Sequence, residues 1–77
     1  MPRPISALYD SVDKQVLIIC KDGTECTGKI TEVDEFMNIV LEDSQEFRNG
    51  KFEKNEGILL VRGPDISIIR LDGNKVN

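Results

Sequence analysis

The apolar positions change their spacing once along the chain, and that change divides it. Ile5, Leu8 and Val12 fall on one face of a helix, and Pro4 fits its first turn, where a missing N–H costs nothing. This spacing predicts a short helix over about residues 5–13, one that must pack on something to persist. From Val16 the period is that of strands. Val16 to Cys20 is a continuous apolar run, as expected of a strand covered on both faces. Beyond Asp22-Gly23, the residues Cys26, Gly28 and Ile30 alternate with Glu25, Thr27, Lys29 and Thr31, the pattern of a half-buried strand. Gly28 inside it marks a sharp bend or a close backbone approach.

A break at Asp34-Glu35-Phe36 precedes a strand from about Asn38 to Arg48. Asn49-Gly50 is a hairpin turn, and the chain returns through Phe52 to Ile58-Leu59-Leu60-Val61. Arg62-Gly63-Pro64-Asp65 is a tight turn before a last strand, Ile66 to Leu71. The expected fold is mainly β: an N-terminal helix, then five antiparallel strands in a small, strongly bent barrel. Ile58 to Val61 and Ile66 to Leu71 are rich in aliphatic side chains. At exposed edges they would aggregate unless paired with another chain. Head-to-tail pairing of copies closes into a ring when the rotation per subunit allows it.

Composition sharpens that expectation. The chain has 77 residues, a single domain over 1–77. Below roughly 70–80 residues a core rarely supplies more than about 3–5 kcal/mol, so a metal, a disulfide or self-association is needed. There is no histidine, and two cysteines cannot build a structural zinc site, so neither metal nor cofactor is expected. A two-residue turn at Asp22-Gly23 would pair Lys21 with Thr24 and Cys20 with Glu25. Cys26 would then face away from Cys20, leaving both as small buried apolar residues in a reducing, intracellular, cytoplasmic setting. Self-association is what remains.

Charge and missing chemistry narrow the function. Ten basic residues against fourteen acidic ones give a net charge of −4. That argues against a broad phosphate-gripping surface, so a nucleic-acid site must be local and lean on base contacts. The apolar runs are too short to span a bilayer, and no membrane partner is expected. An enzyme is not expected either: the usual neutral-pH base is absent, the Asp34 and Glu35 side chains diverge in an extended segment, and there is no phosphate-binding glycine loop.

The two breaks between strands carry the remaining signal. Single-stranded RNA is read by stacking on rings or guanidinium planes and by hydrogen bonds to base edges. Phe36 supplies a ring, Arg62 a planar cation, and Asn38 an amide with both donor and acceptor that matches a uracil edge. Asp34 can orient that amide. On the residues alone a plainer reading also stands. Phe36 is then a loop residue half-tucked into the core, Asp34 and Asn38 satisfy turn backbone, and Arg62 is an exposed arginine.

At this point the chain resembles the Sm/LSm family of RNA-binding proteins. Its first motif is matched over about residues 16–47, by Gly23, Gly28, Ile30, Asp34, Met37, Asn38, Leu41, Glu42 and Asp43. The second is matched over about 57–71, by Ile58-Leu59-Leu60-Val61-Arg62-Gly63 followed by Ile66, Ile68 and Ile69. The resemblance implies an N-terminal helix on a bent five-stranded SH3-like barrel, the Sm fold. It also implies a six- or seven-membered ring joined through the fourth strand of one copy and the fifth of the next. U-rich single-stranded RNA would lie around the pore, contacted by Asp34, Phe36, Met37, Asn38, Arg62 and Gly63. Short tails look more like an archaeal member, with identical copies in the ring; a mixed ring with paralogous Sm-like subunits is the alternative. Where the family often has Asn or Asp after Arg-Gly, this chain has Pro64, and Thr24 replaces a commonly basic residue. The expected role is RNA processing, decay or chaperoning. The competing role is a ring-assembly scaffold acting through protein partners. A peptide-binding SH3-like barrel fits less well, since one tyrosine, three phenylalanines and no tryptophan make a thin aromatic groove.

Overall fold

In this computed structural model residues 8–71 are described. They form strands β1 (Gln15–Cys20), β2 (Thr24–Val33), β3 (Ile39–Arg48), β4 (Lys51–Val61) and β5 (Ile66–Arg70), with a single 3-10 turn at Gly63–Asp65. All neighbouring strands pair antiparallel in one sheet of order β4-β3-β2-β1-β5. The strand expectations hold. Two other elements need correction.

Among the described residues the expected helix over about 5–13 is not an element of the fold: only Leu8 and Tyr9 are helical. Residues 5–7 lie outside the described residues, and beyond Leu8 and Tyr9 the chain runs in turns. The reason is local. Ser11 N donates to Leu8 O at 3.0 Å and Lys14 N to Ser11 O at 3.0 Å, which are three-residue rather than four-residue spacings. Asp13 then adopts φ 74, and its N–H is captured by Ile30 O on β2 at 2.7 Å. The apolar spacing was real, since Leu8 is buried and Val12 packs against the core, but turns deliver it. The barrel is also open: β4 and β5 are the outer strands of the sheet rather than partners of one another.

The sheet still curls, because its inner face makes one core from Leu8, Val16, Ile18, Cys26, Ile30, Ile39, Leu41 and Val61. The bend comes from bulges. Thr27 pairs with Gln45 but Lys29 pairs with Glu42, so Gly28 faces two residues, Asp43 and Ser44. A Cβ on Gly28 would sit 3.1 Å from both Glu42 O and Leu41 Cβ, so the close approach expected at this glycine is met. Ser44, opposite Gly57 on β4, is buried with no hydrogen-bond partner for its hydroxyl.

The two hairpin signals diverge. Asn49 and Gly50 take φ 54 and 77 between paired Arg48 and Lys51, a two-residue turn of the primed kind. Asp22-Gly23 does not. Its register is Ile19 with Glu25 and Ile18 with Cys26, one residue off the expected pairing, and Gly23 N donates to Cys20 O at 2.9 Å. The loop is therefore three residues, Lys21 to Gly23, ending in Gly23 at φ 92. Asp22 drives it by accepting Thr24 N at 2.9 Å on its own side chain. Cys20 and Cys26 consequently share the inner face, and the expectation that they point apart is wrong; both are free thiols.

The outer strands leave aliphatic surface uncovered. Ile58 and Leu60 on β4 are 79% and 56% exposed, and Ile68 on β5 is 49% exposed. Among the described residues no helix is long and apolar enough to cross a membrane.

Candidate nucleic-acid interface

β2 and β3 stay paired up to Val33 and Ile39, and residues 34–38 must reverse the chain between them. Asp34 organises the reversal. Its backbone N–H donates to Asn38 O at 3.1 Å, and its carbonyl accepts Met37 N at 3.0 Å. Its Oδ1 accepts Phe36 N at 2.8 Å and Asn38 N at 3.0 Å, while Oδ2 accepts Asn38 Nδ2 at 2.9 Å. Met37 is left at φ 66, a conformation a side chain adopts only when its surroundings hold it there. These bonds hold the Asp34 carboxyl below its ordinary range. The Asn38 side chain contributes most, then the Asn38 and Phe36 backbone, with the Arg62 charge adding to them.

The second loop starts where β4 ends, at Val61, which pairs with Ile39. Asp65 N donates to Arg62 O at 2.9 Å, closing the 3-10 turn, and Asp65 O accepts Lys21 N at 2.9 Å from the β1–β2 loop. Pro64 sits in the first positions of that turn, where a missing N–H leaves nothing unpaired. The departure at Pro64 is thus built into the turn.

The loops are latched together. Gly63 N donates to Asn38 Oδ1 at 2.9 Å. Gly63 also lies so close that a Cβ there would run into the Phe36 carbonyl oxygen, with Met37 backbone atoms at 3.3 Å. The six residues singled out from the sequence therefore gather in one place. They divide by what they touch. Phe36 is 71% exposed and Arg62 is exposed, while Asn38 is half-buried. Asn38 uses one of two Nδ2 hydrogens on Asp34 and one Oδ1 lone pair on Gly63, keeping one donor and one acceptor uncommitted in these bonds. Met37 packs against the core and lines an apolar cavity of about 370 Å³ with Leu8, Gly63, Ile66, Ile69 and Leu71.

Sequence reasoning anticipated that Asp34 orients Asn38 and missed the Gly63 N–H as its second anchor. The absence of a Cβ at residue 63 was the available signal, since glycine is the residue used where backbone must approach closely.

Known proteins can be set beside this geometry. Residues 6–71 match the LSM domain. The Sm-like protein of Thermococcus sibiricus is 39% identical over 67 residues, covering 87% of this chain and 88% of that one. The Sm-like protein of Pyrococcus abyssi is 34% identical over 67 residues, covering 87% and 89%. Among solved structures, the Pyrococcus abyssi Sm protein in complex with a uridine heptamer superposes with a TM-score of 0.85 at 33% identity, over 90% of this chain and 97% of that one. A heptameric archaeal Sm protein gives 0.77 at 34% identity, over 84% and 94%. The chain belongs to the LSM domain family.

Proposed function

We propose that this chain assembles with copies of itself, edge to edge, into a closed ring and binds U-rich single-stranded RNA, one base per copy. Phe36 and Arg62 offer the stacking surfaces and Asn38 the base-edge hydrogen bonds. Asp34, Met37 and Gly63 hold those three in place. The observation that carries the reading is the bond from Gly63 N to Asn38 Oδ1. Together with the Asp34 carboxylate it fixes an amide in the two loops that carry an exposed ring and an exposed guanidinium.

The relatives support it: one structural neighbour is bound to a uridine heptamer and another is a heptamer. The uncovered aliphatics on β4 and β5 support edge pairing. The ring gathers Arg62 side chains around one pore and leaves the remaining surface acidic, which reconciles RNA binding with the −4 charge. The role is that of a binding subunit in RNA processing, decay or chaperoning, with no catalytic step.

The test is solution mass with and without a short oligo-uridine. The expected result is a discrete species of six or seven chains that gains the mass of RNA, with affinity falling only modestly as salt is added. A monomer indifferent to RNA overturns the reading. A ring that ignores RNA and is unaffected by Asn38→Ala favours the scaffold role.

A further inference from the structure

The three-residue β1–β2 loop places two sulfurs side by side, independently of the RNA reading. Cys26 lies opposite Ile18, so Cys20, two residues further, is its diagonal neighbour across the hairpin, and both pack at the core on the inner face. Both are free, and both line an open cleft of about 500 Å³ between that loop and the end of β4. Diagonal neighbours across antiparallel strands sit about 7–8 Å apart, their Cβ atoms somewhat closer. A disulfide needs Cβ atoms about 3.5–4.5 Å apart. A diagonal pair of that general spacing is wider than a direct bond needs and suits one atom held between the sulfurs, since two metal–sulfur bonds of about 2.3 Å in line span twice that length. Among the described residues no group of three or more His, Cys, Asp or Glu is arranged to hold a metal. That removes zinc, calcium and magnesium, which need four or more ligands. A soft ion content with two thiol sulfurs is the remaining class.

We propose that Cys20 and Cys26 form a two-sulfur site for one soft monovalent metal cation of the copper(I) class, on the inner wall of this cleft. The cation takes the place of a thiol proton. Two thiols and M⁺ give a thiolate–M–thiol bridge and release one H⁺, with no change in oxidation state. Burial first, then the charges of Asp22 and Asp65, pushes the Cys20 thiol up. Burial first, then the neighbouring Cys20, pushes Cys26 up to about 12. Free thiolate is therefore scarce, so iodoacetamide reacts slowly with the pair at neutral pH, and uptake of a cation must release a thiol proton and strengthens as pH rises. The cleft otherwise holds Asp22, Glu46 and Asp65 against Lys21, Arg48 and Arg62, a balance of charge that does not repel a single cation.

The test uses the reduced full chain without oxygen, titrated with silver(I), and with copper(I) offered from a competing chelator, and read by native mass spectrometry. The expected result is one ion per chain, held roughly tenfold or more tighter than by Cys20→Ser or Cys26→Ser. In the unaltered chain the bound ion should shield both cysteines from iodoacetamide, a readout that does not depend on the variants folding. Uptake unchanged in the serine variants overturns the proposal. So does absent uptake, or ready closure of a disulfide under mild oxidant, which would place the sulfurs within direct bonding reach.

Discussion

The latched loops and the outer strands treat their exposed groups in opposite ways. At residues 34–38 and 62–65 Asp34, Asn38 and the Gly63 N–H bond one another within the chain, and a ring, a guanidinium and half an amide stand open beside them. At β4 and β5 the backbone has a free side and the aliphatic residues Ile58, Leu60 and Ile68 stand in solvent. The loops are finished within one chain, and in the proposed ring the edges are finished by another. On the proposed reading binding and assembly depend on separate residues of one small sheet, and each can be damaged without the other.

The largest effect should come from charging the edge. Ile58→Lys with Leu60→Lys should abolish the large species in sedimentation and leave a monomer with its strand signal intact; a surviving ring would move the contact elsewhere. Next is the latch itself. Gly63→Ala drives a Cβ into the Phe36 carbonyl and should cost about 1–3 kcal/mol in denaturant unfolding, with oligo-uridine binding lost. Asn38→Ala removes its bonds to Asp34 and Gly63, and should weaken oligo-uridine binding roughly tenfold or more while the ring persists. Dissolution of the ring by Asn38→Ala would merge the two regions.

A smaller effect concerns pH. Asp34 is held below its ordinary pKa by hydrogen bonds to its ionised form. Its contribution is therefore present above the unfolded-state value and lost as pH falls through the lower folded one. Acidification should loosen oligo-uridine binding, and Asp34→Asn should flatten that dependence as followed by titrations across the acid range. The smallest effect lies under both regions. Ser44→Ala removes a buried hydroxyl that has no partner, and its unfolding midpoint should stay level or rise slightly.

The sequence made some of this legible and not the rest, for identifiable reasons. Alternation from Cys26 to Ile30 placed β2 and its inner face, and Gly28 marked the bend. Asn49-Gly50 named its turn because both residues accept positive φ without help. Asp22-Gly23 carries the same kind of signal but forms another loop, because the Asp22 side chain claims the Thr24 N–H. A one-residue slip then reverses which face each cysteine takes. The spacing of Leu8 and Val12 predicted burial correctly and helix wrongly, since Asp13 is drawn to Ile30 on β2, a contact that no local pattern encodes. The site residues were visible as chemical types. Their latch was not, because its donor is a backbone N–H, which every residue but proline possesses.

The Asn38–Gly63 bond joins residues 25 positions apart, and it cannot close until β4 has folded back along β3. Contacts of long sequence separation form late, after shorter loops have lowered their entropic cost. A chain still being synthesised thus acquires the Asp34 turn early, with Asn38 held at one end only. The Asn38 amide gains its second anchor when residue 63 arrives, so a truncated or half-made chain has the ring of Phe36 exposed but no fixed amide beside it.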